Sequence, residues 1–139
     1  MSSGTHGHGT TLTGGTTGVV ANVISISGPN QSRDSIDIST MDSTSKFREF
    51  MPGMLDPGEI TFDVNYEGTA SGEANSLNTA LTAAAETWTI VFAGTAATYG
   101  QWSCSGFITA LNFSDPFDDK ITQSVTIKFT GSPTFTDAT

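Results

Sequence analysis

The feature that most constrains the fold of this chain is an alternation of apolar and polar residues with a period of two. Its clearest instance is EITFDVNYEG, whose apolar positions are Ile60, Phe62, Val64 and Tyr66. The positions between them are Glu59, Thr61, Asp63, Asn65 and Glu67. Because successive side chains of a strand point to opposite faces of its sheet, this pattern predicts a strand with one buried face and one polar, acidic face.

The same period recurs along most of the chain. VVANVISIS (19–27) leads into a turn, and RDSIDIST (33–40) then places Ile36 and Ile38 on one face. Later alternating segments bring two further sets into phase: Trp88, Ile90 and Phe92, then Val125, Ile127 and Phe129. Each segment is bounded by Gly, Pro, Asn or Asp residues, so we expect a series of short strands joined by turns.

One segment, GQWSCSGFITALNF, changes phase in the middle. Trp102 and Cys104 share one parity, and the apolar residues that follow share the other: Phe107, Leu111 and Phe113. An extra residue in a strand re-aims the side chains after it, so we expect a β-bulge at Gly106.

A single segment, 71–87, has helical spacing, with Leu77, Ala80, Leu81 and Ala84 recurring behind Ser71 or Asn75 as candidate caps. The predicted fold is therefore mostly β: an antiparallel β-sandwich or partial barrel of about six to seven strands with one flanking α-helix. Residues 1–18 and 132–139 are predicted to be flexible arms on either side of a domain at 19–131.

Composition excludes several classes of function. Five Lys and Arg against fourteen Asp and Glu give a formal charge of −9, and the basic residues are scattered, which argues against affinity for nucleic acid. The lone Cys104 cannot form an intrachain disulfide. The N-terminal sequence is not that of a secretory signal, and no apolar run is long enough to span a bilayer, so we expect a soluble protein without membrane contact.

No set of residues forms a convincing catalytic or metal site, so we expect neither an enzyme nor a cofactor. His6 and His8 lie in the predicted arm, where two ligands make a weak metal site. Asp115, Asp118 and Asp119 lack regular calcium-loop spacing. Asp63 and Glu67 would be about 13 Å apart on a regular strand, too far for paired-carboxylate catalysis.

The segment 41–58 is long for a connection between strands, and it is broken by Pro52-Gly53 and Pro57-Gly58. It nevertheless contains a cluster of large side chains: Phe47, Arg48, Phe50, Met51, Met54 and Leu55. Two interpretations stay open. The apolar residues either fold back over the end of the core or form an exposed patch that a partner covers.

The stretch DSIDISTMDSTSKFREFMPGMLDPGEITFDVNYEG resembles the major tail tube proteins of long-tailed bacteriophages. In that family an alternating strand enters a Ser/Thr-rich loop, which is followed by a PG…D.GEI.F.V.Y strand. The closing segment GFITALNFSDPFDDKITQSVTIKFTGSPTF is similar to the family's final hairpin, which ends in T.K.TG.P. The resemblance covers roughly residues 19–135.

The resemblance implies a structural virion protein, assembled in the bacterial host cytoplasm, that forms stacked hexameric rings through which DNA passes. Implied partners are further copies of the chain, a tape-measure protein, and tail terminator and initiator proteins. The segment 41–58 would be a contact element between rings. We expect an acidic lumen, because it would repel phosphates and let DNA slide, and its candidate residues are Asp34, Asp37, Asp63 and Glu67.

Two alternatives remain. A tube subunit of a contractile injection or secretion system would share the fold but carry protein cargo. A monomeric carbohydrate-binding β-sandwich would use Trp88, Trp102 or Tyr99 as its binding aromatics.

Overall fold

The structure is a computed structural model that describes residues 7–15, 17–20, 23–42, 46–66, 73–92 and 100–137, without the side chains of 73–76. These residues form nine strands and one helix. The strands are β1 (Thr11–Gly14), β2 (Gly18–Val20), β3 (Val23–Ser27), β4 (Ser32–Asp37), β5 (Phe50–Asp56), β6 (Glu59–Asn65), β7 (Glu86–Val91), β8 (Gln101–Ser114) and β9 (Thr122–Thr136). The helix, α1, is Glu73–Ala80.

Seven strands form one open antiparallel sheet in the order β2-β1-β7-β8-β9-β6-β3. The remaining two strands, β4 and β5, pair with each other in a separate hairpin. The predicted fold class is confirmed: the chain is mostly β and antiparallel, with one short helix. The strands outnumber the predicted six to seven because segments expected to be arms or loop also pair.

The core lies on one face of the central strands. Ile60 and Phe62 of β6 are directly opposite Ile127 and Val125 of β9, and all four side chains are completely buried. Fully burying a side chain of this size stabilises a fold by about 1.5–3 kcal/mol. The alternation in EITFDVN is therefore confirmed as a one-sided strand, although Tyr66 follows β6 and is 42% exposed.

The expected phase change is present, but it lies after Ile108 and not at Gly106. Buried positions continue from Trp102 through Gly106 to Ile108, so Phe107 faces outward. Leu111 and Phe113 have the same odd parity but lie opposite the buried Val125 and Gln123, on the core side of the strand. The register of β8 against β9 instead shifts on either side of Gly106, between Ser103 and Ser105 and between Ile108 and Ala110.

Gly106 lies where the neighbouring strand leaves no room for a side chain. A Cβ there would lie 2.7 Å from Cδ1 of Phe129 and 2.9 Å from the carbonyl oxygen of Lys128. The indole N–H of Trp88 also donates to the Gly106 carbonyl at 3.2 Å. Close packing between strands, rather than a bulge, accounts for this glycine.

The predicted helix is present but shorter than expected. It ends at Ala80, and Leu77 and Ala80 are buried while Leu81 and Ala84 are exposed. Asn75 lies inside α1, so it is not the cap; Ser71 lies outside the described residues.

Parts of both predicted arms are strands. Leu12 of β1 is completely buried and lies opposite Ile90 of β7, so the expectation of a flexible arm is wrong for Thr11–Gly14. At the other end, β9 runs to Thr136, which pairs with Gln101 of β8. A few Thr and Gly residues around one apolar side chain carry too little periodicity to predict a strand, and long-range pairing supplied the rest. The segment 19–27 is likewise divided between β2 and β3.

One polar side chain lies inside the core. Gln123 of β9 is completely buried, and among the described residues neither its amide nitrogen nor its amide oxygen has a hydrogen-bond partner. An unpaired buried amide costs about 1–3 kcal/mol. Gln123 is therefore a point of weakness in an otherwise apolar layer.

Candidate assembly surface

The β4–β5 hairpin has little of its surface covered by the rest of the chain. All six residues of β4 are exposed, and Gly53 is the only half-buried residue of β5. The segment 41–58, expected to be irregular, is a strand over the seven residues Phe50–Asp56, and the expectation is corrected for them. Pro52 is accommodated because the register shifts nearby, between Arg33 and Ser35.

The side chains singled out in the sequence lie in this hairpin and the loop at its end. The apolar members are exposed by 44–86%: Phe47, Phe50, Met51, Met54 and Leu55. Arg48 is also exposed, and its guanidinium lies 3.8 Å from the carboxylate of Asp37. They do not fold back over the core, and they form an exposed apolar patch, as the second of the two interpretations requires.

The pairing register divides the hairpin residues between two faces. Arg33 lies opposite Leu55 and Asp37 opposite Phe50, which puts these four residues on one face. Ile36 lies opposite Met51 on the other face. Each face of the hairpin therefore presents apolar side chains to solvent, an arrangement that marks interaction sites.

The base of the hairpin is anchored to the main sheet. Gly58 lies two positions after Asp56, the last residue of the hairpin. Its φ is +80°, and a Cβ at this position would overlap the Asn30 carbonyl. The carboxylate of Asp56 accepts hydrogen bonds from the Gly58 N–H at 2.8 Å and the Lys128 ammonium at 3.1 Å. These two donors favour the charged form and lower the pKa of Asp56 below its ordinary value of 3.8.

The far end of the hairpin is closed by hydrogen bonds between its two chain segments. The N–H of Ile38 donates to the Glu49 carbonyl at 2.9 Å, and the Glu49 N–H donates to the Ser39 hydroxyl at 2.7 Å. The Ser39 N–H donates to Asp37, which lowers the pKa of that carboxyl. The hairpin is thus held by hydrogen bonds at both ends, although both of its faces are exposed.

The four acidic residues predicted for a lumen do not share one surface of the hairpin. Asp34 and Asp37 are three residues apart on β4, so strand alternation puts them on opposite faces. Asp63 lies on the polar face of β6, half-buried, and accepts a hydrogen bond from the Ser25 hydroxyl at 3.4 Å. Glu67 lies outside the described residues.

The polar face around Asp63 consists mainly of small hydroxyl side chains. The Thr61 and Thr126 hydroxyls are 3.4 Å apart on adjacent strands, and the Thr109 hydroxyl donates to the Thr126 carbonyl. The surface around Asp63 is therefore hydrophilic, whereas Glu59, Lys128 and Phe107 occupy the same face nearer the hairpin.

The sequence did not reveal two further features. The edge strands β2 and β3 expose Val19 and Ile24, and the turn between β8 and β9 exposes Phe117 completely. Phe117 carried a usable signal, since a large aromatic residue between Pro116 and Asp118 in a turn has no core to enter. For β2 and β3 no such signal existed, because only the strand order identifies an edge.

The aromatic and thiol side chains considered for other kinds of site are buried where the structure describes them. Trp88 and Trp102 are 1% and 4% exposed, so neither indole is available to stack on a sugar, and Tyr99 lies outside the described residues. Cys104 is buried, and burial raises the pKa of its thiol. Among the described residues no group of three or more His, Cys, Asp or Glu is arranged to hold a metal; His6 lies outside them. No helix in the described ranges is long and apolar enough to cross a membrane.

Solved structures with this fold include several tube subunits. The tail of an empty gene transfer agent particle, refined with C6 symmetry, aligns with a TM-score of 0.74 at 11% identity over 96% of this chain and 99% of that one. The SPP1 tail tube aligns with a TM-score of 0.65 at 11% identity over 96% and 80%. The sheath-tube complex of an extracellular contractile injection system, PVC, gives 0.73 at 17% over 97% and 93%. No curated protein matches the sequence significantly.

Identities this low establish the fold alone, whereas a family profile establishes membership. The profile described as lambda phage tail tube protein, TTP, matches residues 5–136. The chain therefore belongs to the lambda phage tail tube protein family, as a structural, non-enzymatic protein of the virion's tail.

Proposed function

We propose that this protein forms hexameric rings that stack into a tail tube, and that the β4–β5 hairpin supplies the contacts between copies. The observation that carries the proposal is the exposure of apolar side chains on both faces of the hairpin. An isolated two-stranded hairpin is marginal in water, and soluble monomers rarely expose large apolar patches. A second copy that covers the hairpin would satisfy both constraints.

Ring closure would use the edges of the main sheet. The order of strands leaves one side of β2 and one side of β3 without a partner within the sheet. Pairing of such edges between subunits adds main-chain hydrogen bonds and removes a site of uncontrolled aggregation. The six-fold symmetry is proposed from the gene transfer agent tail, which shares the fold.

Electron microscopy across a concentration series tests the proposal. We expect wild-type protein to form hollow tubes and the Phe47→Ser/Phe50→Ser variant to form none, since both substitutions remove apolar surface from the hairpin. Phe107→Ser is the matched control, because Phe107 is 41% exposed but lies in the middle of β8. Tubes of normal length from the hairpin variant would refute the role assigned to the hairpin.

The lumen is proposed to be lined by the polar face of β6, with Asp63 contributing negative charge. Like charge on the wall and the DNA would keep phosphates from binding, in keeping with the net charge of −9. Asp34 and Asp37 lie on opposite faces of the hairpin, so at most one of them joins that wall. Glu67 would add to the lining if β6 continued its alternation.

Particles carrying Asp63→Lys should eject DNA more slowly than wild type, whereas Asp63→Asn should have a smaller effect because it removes charge without reversing it. Ejection kinetics measured by dye release would show the difference. Normal ejection by Asp63→Lys particles would move the lumen to another face.

The proposed partners beyond the chain itself are a tape-measure protein inside the tube and terminator and initiator proteins at its ends. A tube of a contractile injection system is the second candidate, because PVC sheath-tube complexes contain a chain of the same fold. A sheath gene beside the gene for this protein would favour that candidate, and a tape-measure gene without a sheath gene would favour the phage tail.

A further inference from the structure

A second exposed aromatic patch lies at the turn between β8 and β9. Its members are Tyr66, Phe113, Phe117 and Ile121, exposed by 37–105%. The rings of Tyr66 and Phe113 meet edge to face with centroids 5.8 Å apart, and the Tyr66 N–H donates to the Ile121 carbonyl at 3.0 Å. We call these four residues the turn patch.

The turn patch and the hairpin lie at opposite ends of β6. The hairpin ends at Asp56, just before β6 begins at Glu59, whereas Tyr66 directly follows the last residue of β6, Asn65. Seven residues of strand separate the two ends by about 20 Å. The chain thus exposes one apolar surface at each end of β6.

The charges around these two surfaces are complementary. The hairpin tip, which we define as Lys46, Phe47 and Arg48, places an exposed aromatic ring between two basic side chains. In the turn, Phe117 is also exposed and is followed directly by Asp118 and Asp119.

The net charge of the longer segments around the two surfaces also differs, and the segment around the turn is the more acidic. Residues 38–49 carry two basic and two acidic side chains, whereas residues 113–121 carry three Asp and one Lys, a difference of two charges in a strongly acidic protein. Within the described part of the chain, neither Lys46 nor Asp118 forms an ion pair.

We propose that the hairpin tip of one copy docks on the turn patch of a second copy in the neighbouring ring. The proposal rests on the tube-forming function proposed above and identifies the surface that receives the hairpin. Two different surfaces that fit each other make a head-to-tail contact, which repeats without end and builds a stack. The lateral edges β2 and β3 remain available for ring closure, so the two kinds of contact use separate parts of the sheet.

Charge reversal provides the test. Lys46→Glu/Arg48→Glu and Asp118→Lys/Asp119→Lys should each abolish tubes while leaving single rings, because like charges then face each other. Combining all four substitutions should restore tubes, since the pairing is re-created with opposite sign. Asp118→Asn/Asp119→Asn removes both charges without reversing them and should weaken stacking less than the turn variant does.

Three outcomes would overturn the proposal: tubes of normal length from the turn variant, failure of the combined variant to restore tubes, or loss of rings as well as tubes. Each leaves the proposed function standing if the wild type still forms tubes and Phe47→Ser/Phe50→Ser does not. A wild type that forms neither rings nor tubes, in vitro or in isolated tails, would instead contradict the proposed function. The two failures are thereby distinguishable.

Site-specific cross-linking gives an independent readout. Cys104 is 3% exposed, so added cysteines can be modified selectively. Tubes assembled from equal amounts of Arg48→Cys and Asp119→Cys chains should yield a covalent dimer with a short bismaleimide, and tubes of either chain alone should not. Mixed tubes without that dimer would place the tip elsewhere.

Discussion

The β6–β9 pair and the β4–β5 hairpin are both antiparallel and both rich in large apolar residues, yet their surroundings are opposite. On β6 and β9 one face is completely buried, with Ile60 opposite Ile127 and Phe62 opposite Val125. On β4 and β5, Ile36 opposite Met51 and Asp37 opposite Phe50 leave both faces exposed.

This difference indicates that apolar residues of the two regions act in different processes, those of the main sheet in folding and those of the hairpin in association. In the main sheet, apolar area leaves water during folding of a single chain, so it contributes to the stability of the monomer. In the hairpin the same kind of area stays exposed to water in the single chain, and in the proposed tube a second copy would cover it. A change in one region should therefore affect folding, and the same change in the other should affect association.

The largest expected effect is on the core. Phe62→Ala should lower the free energy of unfolding by about 3–5 kcal/mol, because it leaves a cavity under a fully buried ring. Phe50→Ala, the same change in the hairpin, should alter it by less than about 0.5 kcal/mol. Urea unfolding of the unassembled proteins, followed by circular dichroism, measures both. Equal losses would show that the hairpin belongs to the folded core.

Glycine substitutions sharpen the comparison. A Cβ at Gly106 would lie 2.7 Å from the buried ring of Phe129, whereas a Cβ at Gly53 would lie 2.9 Å from Cβ of Asp34, an exposed residue. Gly106→Ala should cost about 1–3 kcal/mol, since its neighbours are confined. Gly53→Ala should stay within about 1 kcal/mol, because the strand beside it can yield. Thermal melting of both variants measures these losses of stability. A greater loss for Gly53→Ala than for Gly106→Ala would contradict the comparison.

Gln123→Met should stabilise the main sheet by about 1 kcal/mol, because an apolar side chain of similar shape replaces an unpaired buried amide. Gln31→Met at the exposed base of the hairpin serves as the control and should be neutral. Chemical denaturation compares the two. Destabilisation by Gln123→Met would mean that the amide is hydrogen-bonded in solution.

The smallest expected effect is a dependence of the hairpin on pH. The pKa values of Asp56 and Asp37 are lowered below 3.8, so each carboxylate contributes stability that is complete above that pH. The contribution is lost as the pH falls through the lowered pKa. Hydrogen exchange, corrected for its intrinsic rate, should show protection falling in β4–β5 below pH 3.8 before it falls in β6–β9.

Asp56→Asn provides the control for that experiment. It should reduce hairpin protection at neutral pH and weaken its dependence on acid, because Asn cannot form the charged contact with Lys128. Unchanged protection across the acid range in both proteins would show that the base of the hairpin is fixed without this carboxylate.

The parts of the fold that were predictable are those with strong local periodicity. Val64 and Val125 belong to segments whose alternation fixes the buried face, and Leu77 and Ala80 mark the short helix. The prediction failed at Gly106, where close packing between two strands, rather than a bulge, determined the residue. It also failed at Leu12, because one apolar residue among Thr and Gly becomes a strand only through its pairing with β7.

The candidate site was predictable in composition but not in form. Phe47, Phe50 and Met54 stood out because large apolar residues occurred among Pro and Gly, which identified the segment. The arrangement of Phe50 and Met54 in a strand that pairs with β4 was not visible, since Pro52 and Gly53 argue locally against a strand. The register shift that accommodates them depends on the partner strand.

The sequence by itself determined which side chains share a face of a strand, because that follows from the alternating geometry of an extended backbone. It also determined the net charge and the absence of a catalytic set of residues. Only the tertiary structure decided which faces are covered, which strands form edges, and that the hairpin and the turn patch lie at opposite ends of β6. Those properties depend on contacts between residues far apart in the chain, and local periodicity carries no information about them.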